Sequence, residues 1–191
     1  MIYFHLALKA EAQPLIVHYD LKPYKELPFS VYKSANYTLV VSLPGYDNAL
    51  MATSSLLAHF NANKEDFFIN LGLCGAPQEF AIGTLLEITR LHYETLYPYT
   101  LAKHSKLPHT TLRTLDVACS ETKGSAVDME AYAVYKAASL YIKHENIAVL
   151  KVVSDHFEPE TLTKNLAQTL IAHQLKNIET FIKDHPCQQP S

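Results

Sequence analysis

Arginine and cysteine are scarce in this chain: Arg90, Arg113, Cys74, Cys119 and Cys187 are the only examples in 191 residues. An odd number of widely spaced cysteines gives neither a disulfide framework nor a zinc knuckle, and fits a reducing cytosol. There is no basic block or basic–aromatic stripe, and the net charge is −3, which argues against a nucleic-acid partner. No apolar run approaches the length of a membrane span. The opening "MIYFHLALKAEA" lacks a basic n-region and a small-residue cleavage site. It reads as a first strand, and a cytoplasmic protein is expected. The histidines are scattered, and His104 and His109 in "HSKLPH" lack the companion ligands of a metal site. No repeat, low-complexity segment or linker divides the chain, so residues 1–191 are expected to form one domain.

What is present is an ordinary globular composition, 48% hydrophobic and 18% charged, enough for a sizeable core. Ile2–Leu8 reads as a strand, followed by a helix from about Ala10 to Tyr19. "LKPYKELPFS" is loop-like. Phe29–Lys33 and Tyr37–Ser42 are rich in β-branched and aromatic residues and read as strands. Ala49, Leu50, Thr53, Leu56, Leu57 and Phe60 recur at helical spacing. Phe67–Leu71, Leu85–Thr89 and Leu112–Val117 read as strands, and Met129–Lys143 as a helix. Ile147–Val153 is a near-continuous apolar run, typical of a strand buried on both faces. Leu162, Leu166, Leu170, Leu175, Ile178 and Ile182 mark a closing helix. Residues 92–111 show no clear period. Strands alternating with helices predict a three-layer α/β/α sandwich on a largely parallel sheet. The closely spaced pair at 29–42 makes that sheet mixed.

Three carboxylates follow predicted strands. Glu11 follows the first strand, Glu130 the short run at 125–127, and Asp155 the strand at 147–153. Ligands of open α/β sheets bind outside the carboxyl ends of the strands, so these groups could share one rim. Each also has a structural explanation. Glu11 and Glu130 suit the first turn of a helix, and Asp155 suits a turn or cap. Asp128, beside Met129 and Glu130, suits a helix N-cap. Spacing alone leaves both readings open.

The motifs carry a resemblance. "INLGLCGAP" (69–77) resembles the strand-to-glycine loop of the nucleoside phosphorylase and nucleosidase superfamily. "SAVDMEAYAV" (125–134) resembles its ribose-binding Met-Glu motif, and "LKVVSDH" (150–156) its Ser-Asp motif. "LALKAEAQPLI" (6–16) is similar to the opening of the methylthioadenosine/S-adenosylhomocysteine nucleosidases. "SLPGYDNALMAT" (42–53) matches the family's glycine turn and following helix. These blocks occur in family order across most of the chain.

The resemblance implies the sandwich fold, a nucleoside substrate, no metal or organic cofactor, and a homodimer. It implies that Asp155 protonates the leaving base, with Ser154 orienting it, and that Glu11 holds the attacking water. Glu130 would bind the ribose hydroxyls, Met129 would pack on the ribose, and Gly72 would lie in the substrate-binding glycine loop. An acid near the base removes the difficulty of a purine anion as leaving group, and a carboxylate near the sugar favours its cationic transition state. Scarce arginine, together with Glu11 at the nucleophile position, favours water over phosphate. A phosphorylase and a non-catalytic nucleoside-binding homologue are the rival readings.

The sequence departs from the family in three places. Leu73 replaces a small hydroxyl residue. Lys151 stands where relatives often carry arginine. The segment before the Met-Glu motif is reduced to "ACSETKG" (118–124), where Cys119 and Ser120 are candidates to line a smaller base pocket. Tyr93, Leu96, Tyr97, Tyr99 and Leu101 have no evident place in the sandwich and are candidates for a dimer interface.

Overall fold

The computed structural model describes residues 1–117 and 124–185. Cys119, Ser120 and Cys187 lie outside the described residues. The strands are β1 (Ile2–Leu6), β2 (Lys22–Tyr24), β3 (Ser30–Lys33), β4 (Tyr37–Val41), β5 (Phe67–Gly75), β6 (Leu85–Tyr93), β7 (Tyr99–Thr100), β8 (His109–Thr114), β9 (Ala126–Asp128) and β10 (Ile147–Asp155). The helices are α1 (Lys9–His18), α2 (Tyr46–His59), α3 (Ala131–Ala138) and α4 (Lys164–Asp184).

β1 lies between β4 and β5 and runs parallel to both, and β10 extends this parallel centre on the far side of β5. β2 and β3 add antiparallel strands beyond β4. β6 joins β10 antiparallel, and β8 and β9 follow in parallel. β9 meets β5 again through Gly75 and Val127, so the sheet curls back on itself beside the Met-Glu segment.

Strand alternation sorts the core into two faces. Ile2, Phe4, Leu6, Phe67, Ile69, Leu71, Leu150 and Val152 pack with the apolar residues of α1 and α4. Tyr3, Phe68, Val149 and Val153 pack with α2 and α3. At about 25 cal/mol per Å2 of apolar surface removed from water, this two-sided burial is the main favourable contribution to folding. The sandwich inferred from the alternation of elements is therefore present.

Several boundaries differ from the sequence-based expectation. Lys22–Tyr24, expected as loop, pairs with β3. β5 runs past Leu71 through the glycines to Gly75. α3 begins at Ala131, two residues after Met129, and ends at Ala138, short of Lys143. Glu130, not Asp128, occupies the N-cap position of α3; Asp128, the last residue of β9, still satisfies a helix amide by accepting the Ala131 N–H at 2.8 Å.

The tyrosine-rich stretch is corrected in part. Tyr99 packs against Tyr132 and Tyr135, with ring centroids 4.9 and 4.8 Å away. Tyr93 stacks on Tyr46 at 4.6 Å, and Leu101 is buried. Leu101 belongs to the chain's own core, and the half-buried Tyr93 and Tyr99 pack against it. Leu96 and Tyr97 remain exposed, at 45% and 92%. Among the described residues no helix is long and apolar enough to cross a membrane.

Candidate active site

One wall of the site comes from α1. Glu11 stands in its first turn, and its Oε2 accepts the Leu8 N–H at 2.9 Å, closing the start of the helix. Its Oε1 reaches across to the Leu73 N–H of β5 at 3.1 Å. Glu11 thus closes the start of its helix and also lines the cleft. The main-chain donor at Leu73 is retained although the residue lacks a hydroxyl.

β10 supplies Ser154 and Asp155. Val153 pairs with Cys74 and Asp155 with Gly75, so Ser154 is the extra residue of a bulge. A bulge re-aims side chains at a strand end. Ser154 Oγ lies 2.6 Å from Asp155 Oδ2 and 3.1 Å from the Cys74 carbonyl. Asp155 Oδ1 accepts the Glu158 N–H at 2.9 Å. A Cβ on Gly75 would come within 3.2 Å of both Asp155 Oδ1 and Val127, so a larger residue here would push its neighbours back by a few tenths of an ångström.

β9 delivers Asp128 and, just beyond it, Met129 and Glu130. Glu130 Oε1 accepts the Gly45 N–H at 2.9 Å. One cleft is lined by Glu11, Met129, Glu130, Ser154 and Asp155, with apolar walls that include Leu73, Leu115, Val127 and Leu162. Among the described residues expected at the site, only Gly72 does not line it. Gly72 pairs with Lys151 in the sheet, and a Cβ there would sit 3.3 Å from Lys151 Nζ. Its bareness makes room for the ammonium.

Lys151 was legible only as a departure from arginine, yet it organises the floor of the site. Its side chain is buried and its Nζ lies 2.8 Å from Asp128 Oδ2. Asp128 also accepts from Thr114 Oγ1 at 2.7 Å. Burial alone would lower the Lys151 pKa, but Asp128, Glu130 and Glu11 hold it above the ordinary value. Burial pushes the Glu11 carboxyl up, against the pull of its amide donors and Lys151. Burial, then the Asp128 charge, pushes the Glu130 carboxyl up to about 7. A lysine inside an otherwise apolar run was the sequence signal for this pair, because a buried ammonium requires a partner.

Neither Arg90 nor Arg113 lines the cleft, and both are exposed. Among the described residues no group of three or more His, Cys, Asp or Glu side chains is arranged to hold a metal ion.

The arrangement is a sandwich whose cleft opens at the carboxyl ends of parallel strands, lined by acids and apolar walls. No protein-family model and no curated protein matches the chain. Solved structures do. The 5'-methylthioadenosine/S-adenosylhomocysteine nucleosidase of S. pneumoniae superposes with a TM-score of 0.80 at 17% identity, covering 96% of this chain and 98% of that one. The nucleosidase of Chlamydia trachomatis gives 0.73 at 22% identity, covering 94% and 97%. The futalosine hydrolase of Helicobacter pylori gives 0.77 at 16%, covering 96% and 97%. The chain has the nucleoside phosphorylase/nucleosidase fold over nearly its whole length.

Proposed function

We propose that residues 1–191 act as one nucleosidase domain that hydrolyses the N-glycosidic bond of a purine nucleoside or 5′-thioadenosine. The observation that carries this reading is the convergence of Glu11, Met129, Glu130, Ser154 and Asp155 on one cleft from separate parts of the chain. In the reaction Asp155 gives a proton to a ring nitrogen of the base. The bond from the anomeric carbon to the base breaks, and its electron pair leaves with the base. Glu130 accepts hydrogen bonds from the ribose hydroxyls and stabilises the cationic sugar. Met129 packs on the ribose, and Ser154 orients Asp155. Glu11 takes a proton from water as the water oxygen bonds to the anomeric carbon. It retains acceptor capacity, since a carboxylate offers about four lone-pair sites. The exposed placement of both arginines supports water over phosphate as nucleophile.

The test is incubation of purified protein with adenosine, inosine and 5′-thioadenosines, with and without phosphate. Free base and free sugar, in yields independent of phosphate, are expected. A sugar phosphate would instead establish phosphorolysis, and binding without turnover would establish a non-catalytic homologue.

Glu130→Gln should weaken binding of a ribonucleoside more than of its 2′-deoxy analogue, by roughly 1.5–3 kcal/mol. Equal losses for both sugars would restrict Glu130 to a structural role. With its carboxyl pushed up to about 7, Glu130 is ionised above that pH and gains a proton below it. Ribonucleoside affinity should therefore fall as pH drops through about 7, and the Gln variant should lose that dependence.

The reading includes a cytoplasmic homodimer that takes a free nucleoside and no nucleic acid. Exposed Leu96 and Tyr97 support a contact between copies. Tyr97→Glu should shift the protein toward monomer in sedimentation. A wild-type monomer at micromolar concentration that turns over nucleoside would overturn the dimer.

A further inference from the structure

Behind the cleft lies a buried polar chain that the reaction does not use. His5 in β1, Ser42 just after β4 and Asn70 in β5 are each no more than 2% exposed. His5 and Asn70 are paired across neighbouring strands. Asn70 Nδ2 is 3.0 Å from His5 Nδ1, His5 Nε2 is 2.9 Å from Ser42 Oγ, and Ser42 Oγ is 2.7 Å from the Leu43 carbonyl oxygen.

Donor counting gives this chain one direction. The Leu43 carbonyl can only accept, so the single hydroxyl hydrogen of Ser42 goes to it. Ser42 Oγ then accepts from His5 Nε2–H. The neutral ring is left with its lone pair on Nδ1, which accepts from the Asn70 amide. Burial, reinforced by the Lys151 charge, pushes the His5 pKa down to about 3, so the ring stays neutral and the direction is kept at physiological pH. Asn70 Oδ1 has no hydrogen-bond partner among the described residues. Apolar side chains at these positions would avoid that cost.

The relay ends on an unusual piece of backbone. Leu43 has φ of 74°, in the left-handed region that a leucine rarely adopts. Pro44 follows and lines the cleft. Gly45, at φ 106°, then donates its N–H to Glu130 Oε1. Strained backbone persists only where its surroundings over-determine it, and here the hydrogen bond from Ser42 falls on the strained residue itself.

We propose that His5, Ser42 and Asn70 are positioning residues: their relay pins the Leu43 carbonyl, holds the Leu43–Gly45 turn in shape, and so aims the Gly45 amide at Glu130. The kinetic consequence rests on the proposed role of Glu130 in ribose binding. The structural consequence does not.

The experiment compares Ser42→Ala, His5→Leu and His5→Gln. A glutamine amide nitrogen can stand where imidazole Nε2 stands, so His5→Gln keeps the donor to Ser42. The first readout is hydrogen exchange at the Gly45 amide, followed by NMR. In Ser42→Ala and His5→Leu it should rise about 10-fold, the worth of one hydrogen bond, while the amides of β1 and β5 stay protected. In His5→Gln it should return toward wild type. The second readout is nucleoside hydrolysis. kcat/KM should fall about 10-fold in the two disrupted variants and return toward wild type in His5→Gln.

Unchanged Gly45 exchange in a folded Ser42→Ala protein would overturn the proposal. If Ser42→Ala does not fold, the two His5 variants decide, and equal Gly45 exchange in both would overturn it. If the wild-type protein turns over no nucleoside, the proposed function fails, and Gly45 exchange still tests the relay.

Discussion

Asp155→Asn is expected to lower turnover of the preferred purine nucleoside by at least about 100-fold, the usual contribution of a positioned acid, with the fold intact. The local bonding explains why the fold should survive. The amide oxygen of asparagine can replace Oδ1 as acceptor for the Glu158 N–H. Its NH2 can donate to Ser154 Oγ, which is then free to donate to the Cys74 carbonyl 3.1 Å away. The variant lacks only a transferable proton. Steady-state rates beside a thermal melt make the measurement. A folded variant with near-wild-type turnover would remove Asp155 from the mechanism.

Lys151→Met should carry the largest cost to stability, about 3–5 kcal/mol at pH 8. The substitution nearly preserves shape but removes the cation that faces Asp128, Glu130 and Glu11. Asp128 would keep its bonds from Thr114 and Ala131, but its charge would be unpaired in a buried site. The loss should depend on pH with a defined sign. The folded-state pKa of Glu130 is raised, so its contribution to stability is fully present below its unfolded value of about 4.5 and is lost as pH rises through about 7. Without Lys151 that folded value climbs further. The deficit should therefore be greatest above pH 7 and shrink toward pH 5, as Glu130 takes up a proton. Urea unfolding of both proteins at pH 5 and pH 8 checks this. A deficit that is the same at both pH values would show that Lys151 acts through packing and not through charge.

The two variants separate the parts of the site. Asp155 lies on the cleft wall, so its loss should change rate with little change in stability. Lys151 lies beneath the carboxylates, so its loss should change stability and the ionisation on which sugar binding depends. A lysine is also a compact point charge, unlike the planar fork of an arginine. Here its Nζ reaches Asp128, and Gly72 leaves it the space.

Short-range patterns in the sequence determined most of the elements. The apolar run from Ile147 identified a strand buried on both faces, because β10 is covered by helices on each side. The Leu and Ile spacing of residues 162–182 identified α4 for the same reason: helical periodicity is a local property. The acids at strand ends were also legible, since a strand end and a following helix leave local signatures. Tertiary structure decided what those acids touch. Glu11 meets Leu73 across 62 residues, and Glu130 meets Gly45 across 85. No local pattern encodes a contact made by strand order. The same holds for the His5–Ser42–Asn70 relay, whose members come from distant parts of the chain, and for Tyr99, which showed no period yet is held by Tyr132 and Tyr135. Periodicity reports which face a side chain takes on its own element. Only the packing of elements determines which charge, amide or ring stands opposite, and at this site those opposing groups set the ionisation of Glu11, Glu130 and Lys151.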